Sequence, residues 1–219
     1  MMFACMAYVI NYNNHQMDNN IKTIGVGMPV PNFELETYDP AEGDFGKISL
    51  ADIKAAGKWT ILVFYPADFT FVCPTELADL AENHAELKKL GATVISISTD
   101  TKFSHMAWRN SERLLKDVKY LMAADPAGIV SRLFGVYDAA TGLALRGTFL
   151  INPKGELASS EVNFYNVGRD AGELLRKLQA NVHLLANPSE ACPARWTPGA
   201  QTLTPGKGLV GNVAAALGK

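Results

Sequence analysis

Residues 92–98 form a nearly continuous apolar run of strand length, from Ala92 through Val94, Ile95 and Ile97 to Ser98. A strand apolar on both faces needs cover on both, as in a buried parallel sheet. Parallel neighbours must be joined by a crossover, usually a helix. The preceding segment supplies both parts. Residues 59–65 are strand-like, with Trp59, Thr60, Ile61, Val63, Phe64 and Tyr65. Residues 74–90 carry Leu77, Leu80, Ala81, His84 and Leu87 at helical spacing. Pro74 suits a first helical position, Glu76 a first turn, Lys88 and Lys89 a last turn, and Gly91 a stop.

Further elements follow in the same alternation. The pattern predicts a helix over 103–115, a short strand over 120–123 and a short helix from Asp125-Pro126 through Phe134. Strands over 148–151 and 157–164 flank a turn ending at Gly155, and a last helix spans 169–185. The expected fold class is therefore α/β, three-layered with a mixed central sheet. At 219 residues and 48% apolar content, with no linker-like interior, the chain reads as one domain over residues 21–187. Residues 188–219, rich in Pro and Gly, read as an irregular, mobile tail. Residues 1–20 read as a disordered leader rather than a signal peptide, because no basic segment precedes the apolar part.

Several function classes are disfavoured. The net charge is −2 and Lys and Arg do not cluster, so nucleic-acid binding has no electrostatic footprint. No apolar run approaches the roughly 18 residues that a membrane helix needs. His15, His84, His105 and His183 show no ligand spacing with the cysteines, which speaks against a metal site. The cysteines are Cys5, Cys73 and Cys192, too few and too odd for a secreted disulfide framework. They fit a cytoplasmic protein with inert or reactive thiols.

Cys73 is the candidate reactive group. It lies between the 59–65 strand and the 74–90 helix, at a helix start. A helix N-terminus offers partial positive charge and unpaired N–H donors, and both favour the nucleophilic thiolate. A lone cysteine is also a common small buried hydrophobe. The surroundings weigh toward the nucleophile: Thr70 offers a hydroxyl, and Pro66 shields one side. Each also has a plain alternative, Thr70 as a cap or packing residue and Pro66 as a strand terminator.

The spacing Pro66-x-x-x-Thr70-x-x-Cys73 resembles the active-site motif of the peroxiredoxins. The longer stretch, residues 64–76 with Phe64, Tyr65, Asp68, Phe69, Phe71, Val72, Pro74 and Glu76, is similar to the typical two-cysteine subgroup of that family, and within it to the peroxidatic subunit of bacterial alkyl hydroperoxide reductases. Ser98 to Thr101, His105 to Trp108, Asp125-Pro126, Arg146 to Phe149 and Glu190 to Pro193 fall in family order. The likeness covers about residues 24–213.

The resemblance implies a thioredoxin-like fold and a thiol-dependent peroxidase without cofactor. It implies that Cys73 attacks a hydroperoxide to give a sulfenic acid, and that Cys192 of another subunit resolves it as a disulfide. It assigns Thr70 to the peroxide, Pro66 to shielding and Arg146 to activation, with Glu76 and Trp108 as supports. The residues alone do not single Arg146 out from 20 Lys and Arg. Cys5 has no place in the pattern and is expected to be dispensable. The family's easily over-oxidised variants carry a glycine-rich loop and a Tyr-Phe tail; neither is present here. Implied partners are a second copy in an antiparallel dimer through the 157–164 strand, a decameric ring with contacts at Phe103 and Ser104, and a dithiol or flavoprotein reductase as electron donor. Rival readings are a one-cysteine or glutathione-peroxidase-like enzyme and a ring-shaped holdase chaperone.

Overall fold

The structure, a computed structural model, describes residues 23–218. The expected leader, with Cys5, lies outside the described residues. Within them a seven-stranded sheet is built from β1 (Glu34–Asp39), β2 (Asp44–Ser49), β3 (Trp59–Phe64), β4 (Ala92–Ser98), β5 (Leu121–Ala124), β8 (Arg146–Ile151) and β9 (Leu157–Asn163). Its order is β2-β1-β5-β4-β3-β8-β9. β3, β4 and β5 are parallel neighbours, and the other pairs are antiparallel, so the sheet is mixed as expected. A small separate hairpin joins β6 (Tyr137–Asp138) and β7 (Leu143–Ala144).

Helices cover both faces. α2 (Cys73–Lys89) connects β3 to β4, and α3 (Lys102–Ser111) connects β4 to β5. Along β3 all six residues are buried, and alternate residues feed different cores. Trp59, Ile61 and Val63 pack with Leu77, Leu80 and Leu87 of α2 and with Leu174 and Leu178 of α5 (Ala171–Ala186). Leu62 and Phe64 pack on the other side with Leu50 and Ile53 of α1 (Leu50–Ala55) and Val130 of α4 (Ile129–Leu133). Burying each such leucine stabilises the fold by about 2 kcal/mol relative to exposure. The result is a helix–sheet–helix sandwich with a thioredoxin-like strand arrangement.

Local differences from the sequence reading have physical causes. The helix expected over 103–115 stops at Ser111, because Glu112 is extended; a 3-10 turn, Arg113–Leu115, follows. α4 starts at Ile129 rather than at Asp125. Gly128 adopts a left-handed φ of 64°, and the Asp125 carboxylate accepts from the amides of Ile129, Val130 and Ser131 beyond that turn. The tail is irregular yet anchored. Trp196 is buried, Ala191 bridges to Leu203, and α6 (Val213–Ala216) ends it. β1, β2, α1 and the β6–β7 hairpin were not anticipated.

Candidate active site

β3 ends at Phe64, and the loop that follows delivers Cys73 as the first residue of α2. Cys73 is fully buried, in the core that holds Tyr65, Leu77 and Trp108. Pro66 is buried beside Tyr65, and Thr70 is half-buried with its hydroxyl donating to the Ala67 carbonyl at 2.8 Å. That bond uses the Thr70 proton and leaves its oxygen free to accept.

The helix start differs from the expected row of free amides. Pro74 has none, and the amides of Thr75 and Glu76 both donate to the Val72 carbonyl. The Thr75 hydroxyl donates to the same carbonyl at 2.6 Å. The positive end of the helix remains, but the specific donor to sulfur is a side chain. Arg146, at the start of β8, places Nη1 3.5 Å from Cys73 Sγ.

Arg146 is 3% exposed, which requires a partner for its charge. The same Nη1 donates to Glu76 Oε2 one turn into α2, and its Nε donates to the Tyr165 carbonyl at 2.7 Å. Glu76, itself buried, also accepts from Arg169: backbone N at 2.9 Å, Nε at 2.8 Å and Nη2 at 3.1 Å. Arg169 extends the clamp to β8 through the Gly147 carbonyl and the Thr148 hydroxyl. Two guanidiniums thus face one carboxylate and one sulfur. Three of these four groups sum to one uncompensated positive charge, which an anionic sulfur would cancel.

Trp108, on α3, is 1% exposed and lies between Tyr65 and Phe69, with ring centroids 5.9 Å and 6.2 Å away. Phe103 and Ser104 lie at the start of α3. Phe103 is more than half exposed, packs edge-on against Phe45 and shares Lys102 with it as a cation partner. The Ser104 amide donates to the Thr101 hydroxyl that caps α3.

Cys192 is half-buried on the tail and, like Cys73, is a free thiol. Burial, and then the Glu190 carboxylate, push its pKa up, against a smaller lowering by Arg176. The tail around it docks on α5. Arg176 Nη1 donates to the Trp196 carbonyl at 3.1 Å, the His183 ring lies 4.9 Å from the Trp196 ring, and His183 Nε2 meets Glu190 Oε2 at 2.7 Å.

The family model for "AhpC/TSA family" matches residues 26–160. The chain belongs to the AhpC/TSA family. It is similar to alkyl hydroperoxide reductase C of Staphylococcus aureus, 46% identical over 181 residues that span 83% of this chain and 95% of the relative. Among solved structures, Enterococcus faecalis AhpC superposes with a TM-score of 0.73 at 40% identity, covering 78% of this chain and all of that one. The reduced 2-Cys peroxiredoxin of Plasmodium vivax superposes with a TM-score of 0.79 at 28% identity, covering 84% and 94%. As a member of this AhpC/TSA family the protein is a thiol-dependent peroxidase with a thioredoxin-like fold.

The structure brings Cys73, Glu76 and Arg146 into direct contact, places Trp108 in the same core as Cys73 and against Phe69, and carries Pro66 and Thr70 on the loop that leads to Cys73. Sequence reasoning missed Arg169 and Trp196. Arg169 reads in sequence as an ordinary helix-start cation; only its burial against Glu76 reveals its place. Trp196 was hidden by the Pro- and Gly-rich tail around it, although a lone tryptophan there was a usable signal. Among the described residues no group of His, Cys, Asp and Glu is arranged to hold a metal, and no helix is long and apolar enough to cross a membrane.

Proposed function

We propose that the peroxidase reaction runs through Cys73. The carrying observation is the buried Arg146–Glu76–Arg169 cluster, whose uncompensated positive charge lies at the sulfur. An anionic Cys73 attacks the terminal, hydrogen-bearing oxygen of a hydroperoxide. The S–O bond forms as the O–O bond breaks, and sulfur becomes a sulfenic acid. The departing oxygen leaves as water or an alcohol after taking a proton. Negative charge moves from sulfur to that oxygen, so fixed donors at both ends lower the barrier. Arg146 supplies the donor at sulfur. Thr70, with its oxygen free to accept, orients the peroxide O–H, and Pro66 excludes water. Glu76 and Trp108 hold Arg146 and the loop in place.

Turnover then needs a second thiol. Cys192 of a second subunit attacks the sulfenic sulfur, releasing water and closing an intersubunit Cys73–Cys192 disulfide. A disulfide needs Cα atoms within about 7 Å, and Cys73 is fully buried. The first turn of α2 must therefore unwind and the tail must leave α5. β9 forms one edge of the sheet, with Val162 and Phe164 exposed along it and just after it. That edge suits the antiparallel dimer the disulfide requires, and Phe103 and Ser104 suit a contact between dimers in a ring. A dithiol carrier or flavoprotein reductase then restores both thiols; a cytoplasmic setting supplies such reductants. The test is peroxide consumption by Cys73→Ser and Cys192→Ser. The first is expected to be inactive. The second is expected to complete one oxidation per Cys73 and form no intersubunit disulfide. Peroxide reduction by Cys73→Ser would refute the reading.

A further inference from the structure

A second buried polar cluster holds the Pro66–Thr70 loop through Asp68, and the proposed reaction does not use it. Asp68, in the middle of the loop, is buried, and His105 on α3 is fully buried. Asp68 Oδ2 lies 2.9 Å from His105 Nδ1. Asp68 Oδ1 accepts from the Tyr65 hydroxyl at 2.7 Å. His105 Nε2 lies 3.1 Å from the Ala123 carbonyl of β5. A carbonyl accepts and never donates, so Nε2 carries a proton. A proton must also lie between Nδ1 and Oδ2, since two bare lone pairs would repel at that distance. The loop's backbone is held as well: the Asp68 amide donates to Asp100 Oδ2, which also accepts from the Ser98 hydroxyl.

The next residue shows why such a hold is needed. Phe69 has φ of 55°, a left-handed conformation that a bulky side chain rarely adopts. It is 59% exposed, so its packing on Trp108 holds it only in part. Strained backbone persists where its surroundings over-determine it. Here the fixed points are Asp68 before the strained residue and the Thr70–Ala67 bond after it.

We infer that the Asp68–His105 pair is a positioning latch: it fixes the Pro66–Thr70 loop, and with it the Thr70 oxygen, over Cys73 for the oxidation step. Neither residue touches the reacting atoms. The inference rests on the reading of Cys73 as the peroxide-reactive thiol. The latch also bounds the segment that unwinds, leaving Thr70 and the first turn of α2 to move while Tyr65 and Asp68 stay tied to His105 and, through it, to β5.

The test compares two half-reactions in full-length protein: stopped-flow oxidation of Cys73 by hydrogen peroxide, and reduction of the preformed disulfide by dithiothreitol. His105→Gln keeps a donor toward Ala123 and withdraws from Asp68. It is expected to slow oxidation by on the order of tenfold or more, as for a misplaced contact group, with disulfide reduction unchanged. His105→Asn places a donor where Nδ1 stood and is expected to recover most of the rate. Asp68→Ala breaks the same contact from the loop side, must show the same selective loss, and serves if His105→Gln does not fold. Oxidation of His105→Gln or Asp68→Ala at the wild-type rate, or equal slowing of the Gln and Asn variants, overturns the latch while leaving Cys73 in place. A Cys73→Ser protein that still reduces peroxide overturns both.

Discussion

At the scale of the residue, the proposed chemistry depends on charge placed around a buried sulfur. Replacing Arg146 with Gln removes the donor 3.5 Å from Sγ and leaves Glu76 with Arg169 alone. Peroxide turnover should fall on the order of 100-fold, as for loss of one preorganised donor, and single-turnover kinetics would show the loss in the oxidation step. Glu76→Gln acts differently. It leaves two buried guanidiniums facing each other without a carboxylate, which should cost about 3 kcal/mol of stability in denaturant unfolding. Cys192 makes a prediction in pH. Burial raises its pKa, so the attacking thiolate appears later than in an ordinary cysteine as pH increases. The rate of disulfide formation, read by stopped flow after a peroxide pulse, should keep climbing with pH where a solvated thiol would level off. The Cys73 motif was legible because its chemistry is local: proline, hydroxyl and thiol at fixed spacing between a strand and a helix. Arg146 became legible only through resemblance, and Arg169 not at all, because a cation's burial is decided by elements far away in the chain.

At the scale of the element, the proposed reaction requires two pieces to be stable and yet release. α2 is held by Leu77, Leu80 and Leu87, all beyond its first turn. The first turn itself has no side-chain cap at Val72, so it can open while the rest of the helix stays docked. The tail is held by Trp196 and the His183–Glu190 bond. Trp196→Ala removes a side chain that is 3% exposed and should weaken tail docking by about 3 kcal/mol. Limited proteolysis beyond residue 188 should speed up, and the Cys73–Cys192 disulfide should form faster. Acid acts at the same place. The hydrogen bond from His183 holds the Glu190 carboxyl below its usual range. A depressed carboxyl pKa means docking support that is complete above the ordinary carboxylate range and is lost as pH falls through the lowered value. The strands that carry the site were readable from apolar runs, since burial on both faces leaves little room for polar residues. β1 and β2 were not, because a third of their residues, Glu34, Glu36, Asp44 and Lys47, face water and carry charge. The tail's docking was hidden for a related reason: Pro and Gly exclude regular elements without excluding packing.

At the scale of the whole molecule, the proposed reaction is incomplete in one chain. Cys73 and Cys192 are both free and far apart in sequence, one buried in the core at the start of α2 and the other on the tail that docks on α5. The open edge at β9 offers the surface on which a second copy can bring its tail across. Val162→Lys puts a charge on that edge at a position already 47% exposed, so the chain should still fold. Sedimentation should then show monomers where the parent shows dimers or larger rings, and intersubunit disulfide formation should fall with dimer content. The most direct measurement is a non-reducing gel of the parent, Cys73→Ser and Cys192→Ser proteins after one equivalent of hydrogen peroxide, with disulfides mapped in any dimer band. The parent should run as a covalent dimer joined through Cys73 and Cys192, and neither variant should form that link. A Cys73–Cys192 bond within a monomer, or a peroxide-induced dimer that survives loss of Cys73, would contradict the account.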